Sequence, residues 1–367
     1  MKYFAVMPFS MERAVKQELE RMKVEVSGVS EGKVFFLGNT ETLADVCVNL
    51  RSGDRVFREI ASFTAVTFDE LFDNIRKIGW AEIIAPNGKI NVSAKCAKST
   101  LMSPSDVQKI SKMAIVKAMQ ASGIKRVSET GSAYPIDVHI NKNNVTVALD
   151  MCGVSLHKRG YRVKNAEAPL RETLAAGLIE LSGWRGNNGF ADPFCGSGTL
   201  VIEAAMKALN IAPGMNRDFI CENFKNIDRR VFDNARTKAK NSVQDKKIFV
   251  CGGDILPEMA EMTQFHAERA GVDRFISVEQ CAAKYSYPQC ENGTLITNPP
   301  YGARLKPEMN ELYSQINQVI ENYSLWNKFF FSGDKNFEKN AGKRADKTRR
   351  FYNGNIECNL FNYFCEK

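Results

Sequence analysis

The stretch Asp192-Pro193-Phe194-Cys195-Gly196-Ser197-Gly198-Thr199 decides how the C-terminal half is read. The apolar run Gly189-Phe190-Ala191-Asp192 before it reads as a short buried strand, and an apolar helix follows it. Glycines at 196 and 198 let the chain turn tightly and let a ligand approach the main chain. That ligand would face the amides and the positive dipole end of the helix. The stretch lacks the third glycine of the dinucleotide fingerprint and the Gly-Lys-Thr of a phosphate loop, so both readings lose ground. By itself Gly-x-Gly is also compatible with an ordinary strand-to-helix turn.

Two further strand ends carry chemistry. Gly253-Asp254 closes the next strand, where an acid can accept hydrogen bonds from both hydroxyls of a ribose. An Asp ahead of a helix is equally a plain helix cap, and both readings stand. Thr297-Asn298-Pro299-Pro300-Tyr301-Gly302 follows the strand Gly293 to Ile296. Its two prolines fix the backbone and remove two amide donors. Acceptors remain, the Asn298 side-chain oxygen and the Pro299 carbonyl, beside the flat ring of Tyr301. This set suits a planar base that carries an exocyclic amine. A lone Pro-Pro would be a rigid turn; its place after a strand, downstream of the glycine-rich turn, favours the base.

Working outward, helices are expected over 169–182, 228–242, 256–270 and 307–323, alternating with strands over 189–192, 247–252, 293–297 and 328–332. That alternation indicates a doubly wound, mostly parallel sheet. Residues 349–352 and 358–364, around Asn353-Gly354-Asn355, predict a hairpin that adds an antiparallel edge. The first 155 residues read as α+β. Strands are expected over 1–7, 34–37, 56–63, 88–96, 136–140 and 145–149, with helices over 11–22 and 40–50. Thr67-Phe68-Asp69-Glu70 is a capping box, and Ser103-Pro104 opens a helix to about residue 121. The chain thus divides into two small α+β units, 1–55 and 56–155, a basic linker over 156–168, and a third domain over 169–367.

The 367 residues are 44% apolar and 25% charged, which excludes a disordered tail, a fibre or a membrane bundle. The start, Met1 to Pro8, reads as a strand and not as a signal peptide, which places the chain in the cytoplasm. Ten scattered cysteines without a C-x-x-C pair, and three histidines, argue against a metal site and for cysteines as small core residues. The net charge of +8 is uneven: residues 1–164 hold 24 Lys and Arg against 17 Asp and Glu. One basic cluster runs from 89 to 126 and includes Lys95, Lys98, Lys109 and Lys112. A second, His157-Lys158-Arg159-Gly160-Tyr161-Arg162-Val163-Lys164, contains no acid. Two clusters in one half favour a polyanion, nucleic acid, over a merely solvated face. A third group, Lys343, Arg344, Lys347, Arg349 and Arg350, is an added phosphate contact or a solvated loop.

DPFCGSGT followed by NPPYG resembles the class I S-adenosylmethionine-dependent methyltransferases that modify exocyclic amines. LHKRGYR (156–162), APLRETLAA (168–176) and FYNGNIECNLFNYF (351–364) narrow the resemblance to THUMP-containing bacterial RNA methyltransferases, in particular those that make N2-methylguanine in 23S ribosomal RNA. It covers essentially the whole chain. It implies a ferredoxin-like unit and a THUMP domain that bind RNA, ahead of a Rossmann-like domain with a mostly parallel seven-stranded sheet and an antiparallel C-terminal hairpin. It implies S-adenosylmethionine as cofactor, RNA or a precursor ribosomal particle as partner, and neither membrane nor metal nor obligate protein partner. Carried over by position, Asp192, Pro193, Phe194, Gly196, Gly198 and Thr199 would line the cofactor's methionine end, and Asp254 would hold its ribose. Leu170, Arg171 and Thr173 would close over it. Asn298, Pro299, Pro300 and Tyr301 would hold the target base, with Asn298 also beside the cofactor. Lys95, Lys98, Lys109, Lys112, Lys158, Arg159 and Arg162 would touch RNA. Many relatives have Asp, which contacts the adenine amino group, where this chain has Cys281, and Asn where it has His266. Cys195 would face the cofactor. A tRNA guanine-N2 methyltransferase, an adenine-N6 DNA methyltransferase and a non-catalytic RNA-binding factor are the alternatives.

Overall fold

The computed structural model describes residues 1–163, 170–301, 309–354 and 356–365. The expected helix start at Pro169, Lys164 of the second basic cluster, Gly302 and residues 307–308 lie outside them.

Seven strands form the N-terminal sheet: β1 (Lys2–Val6), β2 (Glu25–Ser30), β3 (Lys33–Leu37), β4 (Arg55–Thr64), β5 (Lys89–Ala97), β6 (Ala133–Asn141) and β7 (Asn144–Asp150). Their order is β2-β3-β1-β4-β7-β6-β5. Only β5 and β6 pair in parallel. The two expected units are therefore one sheet. β4 carries both: Val56 and Phe57 pair with Ala5 and Phe4 of β1, while Phe57 to Thr64 pair with Asp150 to Asn144 of β7. In β6, Tyr134, Ile136, Val138 and Ile140 are buried and their neighbours are not, the period-2 pattern of a sheet with one covered face. The helix Pro104–Ala121 packs against β5. It starts where Ser103 caps it, with proline at the first turn where no amide is missed. The capping box at Thr67 and Glu70 opens Phe68–Arg76.

The second sheet holds β8 (Gly189–Asp192), β9 (Val250–Asp254), β10 (Ile276–Gln280), β11 (Gly293–Thr297), β12 (Asn327–Ser332), β13 (Lys347–Asn353) and β14 (Ile356–Tyr363). The order is β10-β9-β8-β11-β12-β14-β13. The first five pair in parallel and the last two form the antiparallel edge. Strand order reverses between β8 and β11. In open α/β sheets, ligands bind beyond the carboxyl ends of the strands at such a switch point.

The segment between β8 and β9 reaches back to the N-terminal sheet. Phe224 stacks on Tyr134 with centroids 4.5 Å apart. The Lys225 Nζ donates to the Ala81 carbonyl at 2.8 Å, and Lys238 pairs with Asp45 at 3.1 Å. Within the described part of the expected linker, Leu156 and Tyr161 are buried in the core that both halves share. Among the described residues, no helix is long and apolar enough to cross a membrane.

Candidate cofactor and base-binding site

Asp192 ends β8, one strand away from Thr297 at the end of β11. Its carboxylate accepts the Thr297 hydroxyl at 2.6 Å and the Phe194 amide at 3.2 Å. Burial pushes its pKa up to about 7; the two hydrogen bonds pull it down, and the Asp254 charge adds to the rise. A buried carboxylate held near half-ionisation gains from a cationic partner.

The chain then turns through the glycines. Gly196 and Gly198 have φ of +54° and +82°, a region that side chains avoid. A Cβ at Gly198 would sit 2.5 Å from the Thr263 methyl, whereas one at Gly196 would meet open space. The turn is closed from behind by Thr263, whose hydroxyl donates to the Gly196 carbonyl at 2.8 Å, and is open in front. His266 is buried, with Nδ1 3.1 Å from the Ser197 carbonyl oxygen, so it supports the turn structurally. Cys195 was expected to face the cofactor. It is buried, its Sγ lies 3.7 Å from the Thr263 hydroxyl, and it packs beneath the turn.

Asp254 ends β9. One oxygen accepts the Gly196 amide at 2.9 Å and the other the Leu256 amide at 3.0 Å. The carboxylate thus steadies the helix start and the glycine turn together. Each oxygen keeps a second lone-pair site for a ribose hydroxyl. Cys281 follows β10 and donates its amide to the Asp254 carbonyl at 3.0 Å. Burial, then Glu279 and Asp254, push its thiol pKa up. It therefore stays a neutral thiol, where the resemblance leads one to expect a carboxylate. Ile255, 57% exposed beside Asp254, went unnoticed in the sequence. An exposed isoleucine at a strand end offers a flat apolar ligand a surface.

Asn298 follows Thr297 directly. Its Oδ1 is buried and has no hydrogen-bond partner among the described residues. Such an orphan costs about 1–3 kcal/mol unless something donates to it, and it needs an explanation. Pro299 is buried and Pro300 exposed. Tyr301 is half-buried: its hydroxyl lies 3.6 Å from the Cys358 Sγ, and its ring occupies the space that a side chain at Gly333 would need. Burial pushes its pKa up to about 12. The C-terminal hairpin thus fixes the ring.

Leu170, Arg171 and Thr173 precede the helix Glu172–Leu181 or open it. The Leu170 carbonyl accepts from Arg162 at 3.0 Å, and the Thr173 hydroxyl donates to Asp54 at 2.5 Å. Arg171 is half-exposed.

The residues expected on RNA separate. Lys95, Lys98, Lys109 and Lys158 are exposed and form no ion pair among the described residues. Lys95 joins Lys33, Arg55 and His139 around a cavity of about 830 Å³ on the sheet. Lys112 pairs with Glu129 at 2.7 Å. Arg159 and Arg162 do not face solvent. The Arg159 side chain is 2% exposed, 3.4 Å from a fully buried Glu203, and donates to the Arg51 and Leu156 carbonyls. Arg162 is 11% exposed, donates to the Thr199 hydroxyl and lies 3.6 Å from Glu172. Glu203 lies 44 residues from Arg159 and Glu172 lies beyond the end of the basic run, so a charge count within the run misses both. In the third basic group, Arg349 donates to the Ser10 carbonyl, tying the hairpin to the N-terminal half, while Lys343, Arg344, Lys347 and Arg350 are exposed. Among the described residues no cluster of His, Cys, Asp or Glu could hold a metal ion.

Comparison with known proteins agrees with this geometry. The profile of an RMKL-like methyltransferase domain matches residues 159–362, that of a THUMP domain 65–150, and that of an RlmL ferredoxin-like domain 2–57. The "Putative RNA methyltransferase YpsC" of Bacillus subtilis is 37% identical over 98% of this chain and 95% of its own length. The "Ribosomal RNA large subunit methyltransferase K/L" of Psychromonas ingrahamii is 34% identical over 99% of this chain, which spans only 50% of that protein. A crystal structure of "SMU.472, a putative methyltransferase complexed with SAH" superposes with a TM-score of 0.92 at 34% identity, covering 100% of this chain and 98% of the other. With its strand-end acids, its glycine turn and similarity across its full length, the chain belongs to the RMKL-like methyltransferase family, with ferredoxin-like and THUMP domains ahead of the catalytic one.

Proposed function

We propose that the chain transfers a methyl group from S-adenosylmethionine to the exocyclic N2 amine of a guanosine in RNA, with 23S ribosomal RNA as the first candidate. The observation that carries this reading is the orphan Asn298 Oδ1, a buried acceptor at the switch point with no donor among the described residues. An exocyclic amine supplies the missing donor. The relatives named as RNA and ribosomal RNA methyltransferases support RNA as the class of substrate.

The residues fit the cofactor. Asp192, pushed up to about 7, gains from the ammonium of the methionine end. The open space before Gly196 admits that end, and Asp254 receives the ribose. When bound, S-adenosylmethionine supplies an electrophilic methyl group on a sulfonium. Asn298 and the Pro299 carbonyl orient the amine so that its lone pair points at that carbon for in-line displacement. Tyr301 stacks on the extruded base, worth about 1–3 kcal/mol. No covalent enzyme intermediate is required; the acceleration comes from positioning and from acceptors near the nitrogen as it becomes positive. Lys95, Lys98, Lys109, Lys112 and Lys158 hold the phosphate backbone. The cytoplasm is the compartment that this substrate implies.

The test offers tritiated S-adenosylmethionine with ribosomal RNA, transfer RNA and DNA from cells lacking the gene, and resolves the nucleosides by mass spectrometry. N2-methylguanine in ribosomal RNA is the expected product. N2-methylguanine in tRNA moves the substrate, and labelled adenine in DNA overturns the nucleotide assignment. Asn298→Ala should abolish transfer while cofactor affinity stays within about twofold; wild-type turnover removes the base-holding role.

A further inference from the structure

The segment Leu170–Thr173 is gripped from two sides. On one side stands Arg162. Its guanidinium donates to the Leu170 carbonyl at 3.0 Å and to the Thr199 hydroxyl, and lies 3.6 Å from the Glu172 carboxylate. Thr199 opens the helix behind the glycine turn, so one planar fork of donors fastens the segment to that turn. On the other side stands Asp54, at the entry to β4 of the N-terminal sheet. Its Oδ1 accepts the hydroxyl of the fully buried Thr173 at 2.5 Å, and its Oδ2 lies 3.9 Å from Arg171. Asp54 is itself fixed: its amide donates to the Val6 carbonyl at 2.7 Å, and its carbonyl accepts the Leu156 amide at 2.8 Å and the Ser155 hydroxyl at 3.1 Å.

We propose that Asp54 is a positioning residue for the cofactor: through Thr173, and opposite Arg162, it presets the segment Leu170–Thr173 against the glycine turn. Cofactor affinity then depends on a residue of the RNA-facing half. The proposal rests on the cofactor reading above. A preset segment pays its ordering entropy on folding and not on binding, so releasing it weakens binding without removing a direct contact. Charge-assisted hydrogen bonds such as Thr173 to Asp54 are the stronger kind.

Calorimetric titration of the full chain with S-adenosylhomocysteine tests this without turnover. Thr173→Val removes the donor and keeps the shape, and should weaken binding about tenfold. Thr173→Ser keeps the donor and should bind within about twofold of wild type. Asp54→Ala also removes the Arg171 contact and should weaken binding at least as much as Thr173→Val, and the double variant should be no weaker than Asp54→Ala alone, because the two substitutions share the Thr173–Asp54 bond. Lys238→Ala breaks a different pair across the same two halves, with Asp45, and should leave affinity unchanged. In transfer assays the KM for S-adenosylmethionine should rise while kcat at saturation holds. Binding by Thr173→Val within twofold of wild type overturns the proposal, as does an equal loss in Lys238→Ala, which would mean that any loosening of the seam suffices. If Asp54→Ala fails to fold, the Val and Ser variants at 173 decide alone. A wild-type chain that does not bind S-adenosylhomocysteine overturns the cofactor reading itself.

Discussion

Two basic stretches look alike in the sequence and differ in the fold. Lys95, Lys98 and Lys109 keep their charges in water, on a strand, on the loop after it and on the face of the helix Pro104–Ala121. Arg159 and Arg162 turn theirs inward, against Glu203 and Glu172 and several carbonyls. The difference lies in the side chain. Lysine carries a compact, strongly hydrated charge that prefers the surface, whereas arginine offers forked donors and sheds its water more readily. A cluster of arginines with buried tyrosine and leucine between them marks a seam. A cluster of lysines at exposed positions leaves a charged face in water.

That contrast can be broken at several points. Arg159→Ala removes the ion-pair partner of the buried Glu203, leaving it the Tyr161 hydroxyl at 3.2 Å, and should cost about 3 kcal/mol in denaturant unfolding; Lys109→Ala should stay within about 0.5 kcal/mol. Equal losses would erase the distinction. Conversely, Lys98→Ala with Lys109→Ala should leave the unfolding midpoint in place and weaken RNA binding. The slope of log affinity against log salt should fall by about 0.7–0.9 for each phosphate contact removed. An unchanged slope would locate the RNA elsewhere. The third test uses pH, to which neither lysine nor arginine responds near neutrality. Asp192 does, with a pKa near 7 in the absence of ligand. Since a cation binds its ionised form, cofactor affinity should fall about tenfold from pH 8 to pH 6. The stability of the unliganded fold has the opposite sign. The folded carboxyl holds a proton that the unfolded one has released, so stability falls as pH rises from the ordinary Asp range to about 7. A flat affinity profile would remove Asp192 from the cofactor's cationic end.

These contrasts also explain what the sequence revealed. The helix Pro104–Ala121 and the capping box at Thr67 were legible because their signals are local. So were the strand ends at Asp192, Asp254 and Asn298, where residue type and position coincide. β2 was not legible: Glu25–Ser30 has no buried residue, contains Gly28, and shifts register between Val26 and Gly28. An exposed edge strand has little hydrophobic period to read. The grip of Asp54 on Thr173 joins positions 119 residues apart, and nothing around Asp54 announces it. Thr297 was within reach, since a hydroxyl at a strand end beside Asn298 lies one residue past the level of Asp192 on the neighbouring strand.

β4 has a consequence for how substrate is chosen. Because one ten-residue strand is hydrogen-bonded to the ferredoxin-like half on one side and to the THUMP half on the other, the two cannot hinge without breaking a ladder. Arg349 and the Tyr134–Phe224 stack pin that sheet to the catalytic domain. The separation between the exposed lysines and the strand-end site is then a fixed length. On the function proposed above the protein works as a caliper: the RNA, and not the enzyme, flexes to bring a target nucleotide that distance from the phosphates the lysines hold.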